Sequence, residues 1–106
     1  MIDFSNNAVT ISQEQIITTS SKLVVLYFYT KTDTKYKSID LKTYDLSKKH
    51  INVVFIKVDV DNMKSLVKDF NISVFPSYIF LKKNRVLGKV NDWNYNELRS
   101  MLRRYE

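Results

Sequence analysis

Val53-Val54-Phe55-Ile56-Lys57-Val58-Asp59-Val60-Asp61 decides the fold. Its first six residues are apolar on both faces except for Lys57. A run of that kind predicts a strand buried between two layers rather than one lying half in water. Asp59 or Asp61 closes it and can cap the next helix. That helix shows Met63, Leu66, Val67 and Phe70 at i, i+3, i+4 and i+7, a single apolar face. Upstream, Leu23-Val24-Val25-Leu26-Tyr27-Phe28-Tyr29 is a second strand apolar on both faces. Residues 30–33 between are polar and turn-like, and residues 34–49 predict a helix through Tyr36, Ile39, Thr43 and Leu46.

Outward from this centre the pattern repeats. Phe75-Pro76 leads into the strand Ser77-Tyr78-Ile79-Phe80-Leu81. The polar turn Lys82-Lys83-Asn84 joins it to Arg85-Val86-Leu87-Gly88-Lys89-Val90, a hairpin. Asn94 with Glu97 caps a last helix whose apolar face is Leu98, Met101, Leu102 and Tyr105. At the other end, residues 8–11 predict a short strand. Ser12 with Gln15 then reads as a capping box, and Ile11 with Ile16 as a hydrophobic staple. The expected order is β-α-β-α-β-α-β-β-α in one domain, residues 1–106. Alternation implies parallel pairing by right-handed crossovers, with an antiparallel terminal hairpin. The expected class is therefore α/β, with a central mixed sheet of four to five strands flanked by helices on both faces.

Composition narrows the chemistry. Apolar residues form 44% of 106 residues, enough for a core, and no stretch reaches the ~20 apolar residues of a membrane helix. The first seven residues show neither a basic start nor an apolar signal core, so the expected compartment is the cytoplasm. Mitochondrial import from a longer precursor stays open. There is no cysteine. Disulfides, thiolate nucleophiles and cysteine metal sites are therefore impossible for this chain's own side chains. A lone His50 beside Lys48 and Lys49 fits a cationic helix end better than a zinc site or a catalytic triad. A single glycine, Gly88, lies in a strand, which excludes phosphate-binding glycine loops. No metal or other cofactor is expected.

Several motifs resemble thioredoxin. Residues 53–61 are similar to that family's third strand with its Val-Asp ending. Val74-Phe75-Pro76-Ser77-Tyr78 occupies the place of its cis-proline. Phe80-Leu81-Lys82-Lys83-Asn84-Arg85-Val86 resembles its Phe-Phe-Lys-Lys-Gly hairpin. The resemblance implies a thioredoxin-like fold and a cis bond between Phe75 and Pro76. It also implies that Lys31-Thr32-Asp33-Thr34-Lys35-Tyr36-Lys37 stands where the family carries Trp-Cys-Gly-Pro-Cys-Lys. An ungapped register puts the two cysteines at Thr32 and Lys35. A one-residue shift, preferred because it aligns Lys37 with the family's lysine, puts them at Asp33 and Tyr36. The family's buried acid falls on Leu26 or Tyr27. Nucleophile, resolving thiol and proton acceptor are all missing, so residues 32–35 form a degenerate active-site loop. Lys57 reads as a strand-end lysine that snorkels to water.

What the resemblance leaves is a groove. The residue before the family's cis-proline pairs its backbone with an extended peptide, a mode that needs no thiol. Tyr36, Val74, Phe75, Pro76 and Trp93 are then the expected partner-binding residues, around a shallow apolar patch. Structural packing of Phe75 and Trp93 is the plainer alternative. The expected function is a non-catalytic protein-binding module, an adaptor or a structural subunit, and not an enzyme. The net charge of +6 and pI of about 9.5 keep a second reading open: a basic accessory protein of a nucleic acid or ribonucleoprotein. Its candidate contacts are Lys82, Lys83 and Arg85, then Lys31, Lys35 and Lys37, and then Arg99, Arg103 and Arg104. Single-strand binding also requires exposed aromatics, and the pattern places most of them in the core.

Overall fold

Strand β3 (Val24–Tyr29) is the axis of the molecule, and all six of its residues are buried. The computed structural model describes residues 2–3, 9–10, 22–83 and 85–106. The remaining elements are β1 (Ile2–Asp3), β2 (Val9–Thr10), α1 (Tyr36–Lys49), β4 (Val54–Asp59), α2 (Lys64–Asp69), β5 (Ser77–Lys82), β6 (Arg85–Asn91) and α3 (Tyr95–Tyr105). They build one sheet in the order β2-β1-β4-β3-β5-β6. β3 and β4 run parallel, and β5 and β6 form the expected antiparallel hairpin beside β3. The four long strands are those read from the sequence. The sheet is wider than expected because Ile2–Asp3 pairs with both β4 and β2. The predicted strand at 8–11 is realised as Val9–Thr10, and the helix predicted from Ser12 lies outside the described residues.

Strand alternation sends the two faces of β3 into two cores. Val25, Tyr27 and Tyr29 pack with Ile39 and Leu46 of α1 and Leu98 and Leu102 of α3. Val24, Leu26 and Phe28 pack with Leu66 of α2, Ile72 and Ile79. Each such side chain contributes about 1.5–3 kcal/mol by leaving water. Gly88 lies close under α3: a Cβ there would meet the Met101 methyl, the far end of a flexible side chain.

Two helix starts differ from the sequence reading. α1 begins at Tyr36, not at residue 34. The Asp33 carboxylate accepts the Lys35 N–H at 2.8 Å and its carbonyl accepts the Tyr36 N–H at 3.1 Å, which holds residues 33–35 in a turn. α2 starts after Met63, with no side-chain cap from Asp59 or Asp61. Asp59 instead closes the preceding turn, accepting the Asp61 N–H at 3.0 Å and the Asn62 amide at 3.3 Å. The cap on α3 is as expected: Asn94 Oδ1 accepts the Glu97 N–H at 3.0 Å.

Candidate functional site

The Phe75–Pro76 bond is cis, as the resemblance implied. Pro76 is buried, Phe75 is half-buried against the α2-side core, and Val74 is 40% exposed. The Pro76 carbonyl accepts the Asp92 N–H at 2.8 Å, which fixes the proline loop to the end of β6.

Opposite Pro76 lies the place of the family's active site. Tyr27, Tyr29, Asp33, Tyr36 and Ile39 line a crevice with it. Thr32, Thr34 and Lys35 are exposed and do not line it. Of the two registers, the shifted one therefore names the residues that face Pro76, Asp33 and Tyr36. The crevice holds about 10 Å³, room for one water at most. Tyr36 is part of its wall, its ring stacked on Tyr29 at 5.2 Å and 17°.

A partly buried cation holds that tyrosine in place. Lys57 donates to the Tyr36 hydroxyl at 3.1 Å and pairs with Asp40 at 2.8 Å. Its ammonium stands 4.3 Å from the centre of the Tyr29 ring, within cation–π range. This corrects the expectation that Lys57 snorkels to water, since its side chain is only 13% exposed. The cause is that the residues above it are tyrosine faces, and Asp40 reaches it from α1. Burial works against the charge, yet hydrogen bonds to Asp40 and Tyr36 and the attraction of Asp40 outweigh it, and the Lys57 pKa rises.

Tyr27 lies opposite Lys57 in the parallel register. Burial, then the neighbouring Tyr78 and Asp40, push its phenol far above its ordinary range. Tyr78 is raised too, chiefly by burial, although a hydrogen bond with Thr43 at 2.8 Å works the other way. A charged ammonium and protonated phenols are neither bases nor nucleophiles near neutral pH. Sequence reasoning missed Asp40. Its only signal was its place one turn after Tyr36 on the same helix.

Trp93 is not gathered into the crevice. Asp92, at φ 67°, turns the chain, and its carboxylate accepts the Trp93 N–H at 2.8 Å. The indole packs on Tyr78 at 6.4 Å and Tyr95 at 6.0 Å. It lines a separate depression of about 370 Å³ with Tyr95 and with Lys42, Asp45 and Lys49 of α1. Among the described residues, no group of three or more histidines, aspartates or glutamates is placed to hold a metal ion, and no helix is long and apolar enough to cross a membrane.

Comparison with known proteins agrees with this geometry. Thioredoxin H8 of Arabidopsis thaliana is 33% identical over 86 residues, 81% of this chain and 58% of that protein. Thioredoxin H1 of the same plant is 41% identical over 61 residues, covering 58% of this chain and 54% of that protein. The chain thus spans just over half the length of these plant relatives. The solved thioredoxin of Schistosoma mansoni superposes with a TM-score of 0.83 at 26% identity, over 89% of this chain and 86% of that one. The thioredoxin of Fasciola hepatica gives 0.83 at 23% identity, over 89% and 90%, and supports the fold alone. The family's profile matches residues 7–104, and the chain, though without cysteine, belongs to the thioredoxin family.

Proposed function

We propose that this chain is a non-catalytic binding module, an adaptor or structural subunit that takes an extended segment of a protein partner beside Phe75 and Pro76. It is not an enzyme of thiol–disulfide exchange, because it has no thiol to exchange. The observation that carries the reading is Tyr36. It helps close the crevice beside Pro76 to about 10 Å³, while Val74, two residues before Pro76, stays exposed. Main-chain pairing at Phe75 would supply affinity, and Val74, Phe75 and Tyr36 would supply apolar contact. Trp93 adjoins the loop through the Asp92–Pro76 hydrogen bond and borders the surface rather than its centre. The surrounding lysines would orient the partner more than hold it.

The test is affinity capture from the source lysate with the wild type beside Val74→Asp and Phe75→Asp, each checked for an unchanged thermal melt. Val74→Asp is the cleaner variant because its side chain is outside the core. A defined protein held by the wild type and lost by both variants supports the groove. The same partners retained by all three would sink the reading.

A further inference from the structure

We infer that the depression between α1 and the start of α3 binds single-stranded nucleic acid, taking a base against Trp93 and Tyr95 and its phosphates on Lys42 and Lys49. The inference is independent of the groove beside Pro76. Lys42, Asp45 and Lys49 recur at i, i+3 and i+7, so α1 presents them on one side, and all three are exposed. Trp93 and Tyr95 form the facing wall, 6.0 Å apart and tilted by 45°. Against the two lysines stand Asp45 in the lining and the Asp92 carboxylate, already held by the Trp93 N–H at 2.8 Å. The volume of about 370 Å³ falls within the ~300–1,000 Å³ of small-ligand clefts.

The aromatics select the ligand. The face of an indole or phenol ring is electronegative, so a carboxylate of an acidic protein gains nothing from lying against it. A nucleobase does gain, by stacking, and its phosphates reach the lysine rim. Cation rim and stacking wall together are the combination that non-specific single-strand sites use. The sequence argued against such a site because its aromatics alternate into the core. Trp93 and Tyr95 escape that alternation because they follow the left-handed turn at Asp92 rather than lying in a strand.

Trp93 is the only tryptophan, which makes it the reporter. Its emission is titrated with a ten-residue thymidine oligonucleotide, with thymidine monophosphate, with a matched duplex and with polyglutamate. The oligonucleotide should quench saturably, and the logarithm of its affinity should fall against log salt with a slope of about −1.4 for two phosphate contacts. Lys42→Glu with Lys49→Glu should weaken binding at least about tenfold and flatten that slope. Lys82→Glu with Lys83→Glu should leave both nearly unchanged. Loss of stacking in Trp93→Ala, followed by anisotropy of a labelled strand, should weaken binding by about 5- to 150-fold. Five results would overturn the proposal: no quenching, equal affinity for the mononucleotide, equal quenching by polyglutamate, equal binding of duplex, or equal losses from the hairpin and α1 variants. The α1 lysines are outside the core, so their variants decide the matter even if Trp93→Ala fails to fold.

Discussion

Two recesses flank the Pro76–Asp92 hydrogen bond, and they are built on opposite principles. The crevice at Tyr36 holds about 10 Å³, and the depression at Trp93 about 370 Å³. In the crevice the chain's own side chains close in on one another. Tyr36 stacks on Tyr29, bonds to Lys57 and sits over the Lys57–Asp40 pair. Those groups serve stability. At the depression the lysines are exposed and the two rings half-buried, so part of their surface is open to a ligand. The side chains at the crevice hold one another and leave almost no space, whereas those at the depression leave a hollow.

The contrast breaks most decisively at Asp40. Replacing it by alanine takes the carboxylate from an ammonium that is mostly buried. Removing one partner of a fully buried pair costs about 3–5 kcal/mol. Asp40 itself is 27% exposed, so water recovers part of that. Asp40→Ala should cost about 2–3 kcal/mol in urea unfolding, and adding Lys57→Met should recover most of it. A loss below about 0.5 kcal/mol would show that the crevice is not held together by this pair.

Alkali probes the same cluster. Lys57, Tyr27 and Tyr78 all have folded pKa values raised above those of the unfolded chain. The unfolded chain releases these protons from about pH 10, while the folded chain keeps them. Stability is therefore fully present below about pH 10 and declines as pH rises beyond it, by about 1.4 kcal/mol per pH unit for each proton retained. Tyr27→Phe removes one such proton, and its stability should fall less steeply between pH 10 and 11. Equal slopes would mean that Tyr27 titrates in the fold as it does in water.

Gly88 tests the other recess through its supporting helix. Alanine there presses on the Met101 methyl of α3. Overpacking typically costs about 1–3 kcal/mol, but methionine yields easily, and replacing a strand glycine returns about 0.5–1 kcal/mol. Gly88→Ala should destabilise by about 1 kcal/mol. It should also shift Trp93 emission, because α3 carries Tyr95 at the depression. A melt lowered without an emission change would separate the helix from the recess.

The sheet and its two cores were legible because strands and helices announce themselves by period, and β3 and β4 are apolar throughout. The cis bond at Phe75–Pro76 was legible from local motif. What escaped depended on several elements meeting at once. The Lys57–Asp40 pair joins β4 to α1 beneath tyrosines of β3 and α1, and no periodicity in one segment contains that meeting. Trp93 was read with the groove from its place beside the hairpin. Its direction depends on Asp92, whose short polar side chain tolerates the left-handed region. The lysines opposite it come from a helix some fifty residues earlier.

The smallest expected effect lies where the walls of the depression are tied together at their far ends. His50, the residue closing α1, shares a hydrogen bond of 2.8 Å with Glu106, which follows α3. The two side chains are 18% and 33% exposed, so the bond works against water on both partners. Exposed pairs of this kind contribute about 0.2–1 kcal/mol. A double-mutant cycle with His50→Ala and Glu106→Ala should therefore return a coupling near 0.5 kcal/mol at neutral pH. Oligonucleotide affinity should change less than about twofold, because Trp93 is positioned by Asp92 and Tyr78, not by the helix ends. A large loss of affinity with little loss of stability would reverse that order. It would make the spacing of α1 and α3, rather than the turn at Asp92, the feature that shapes the depression.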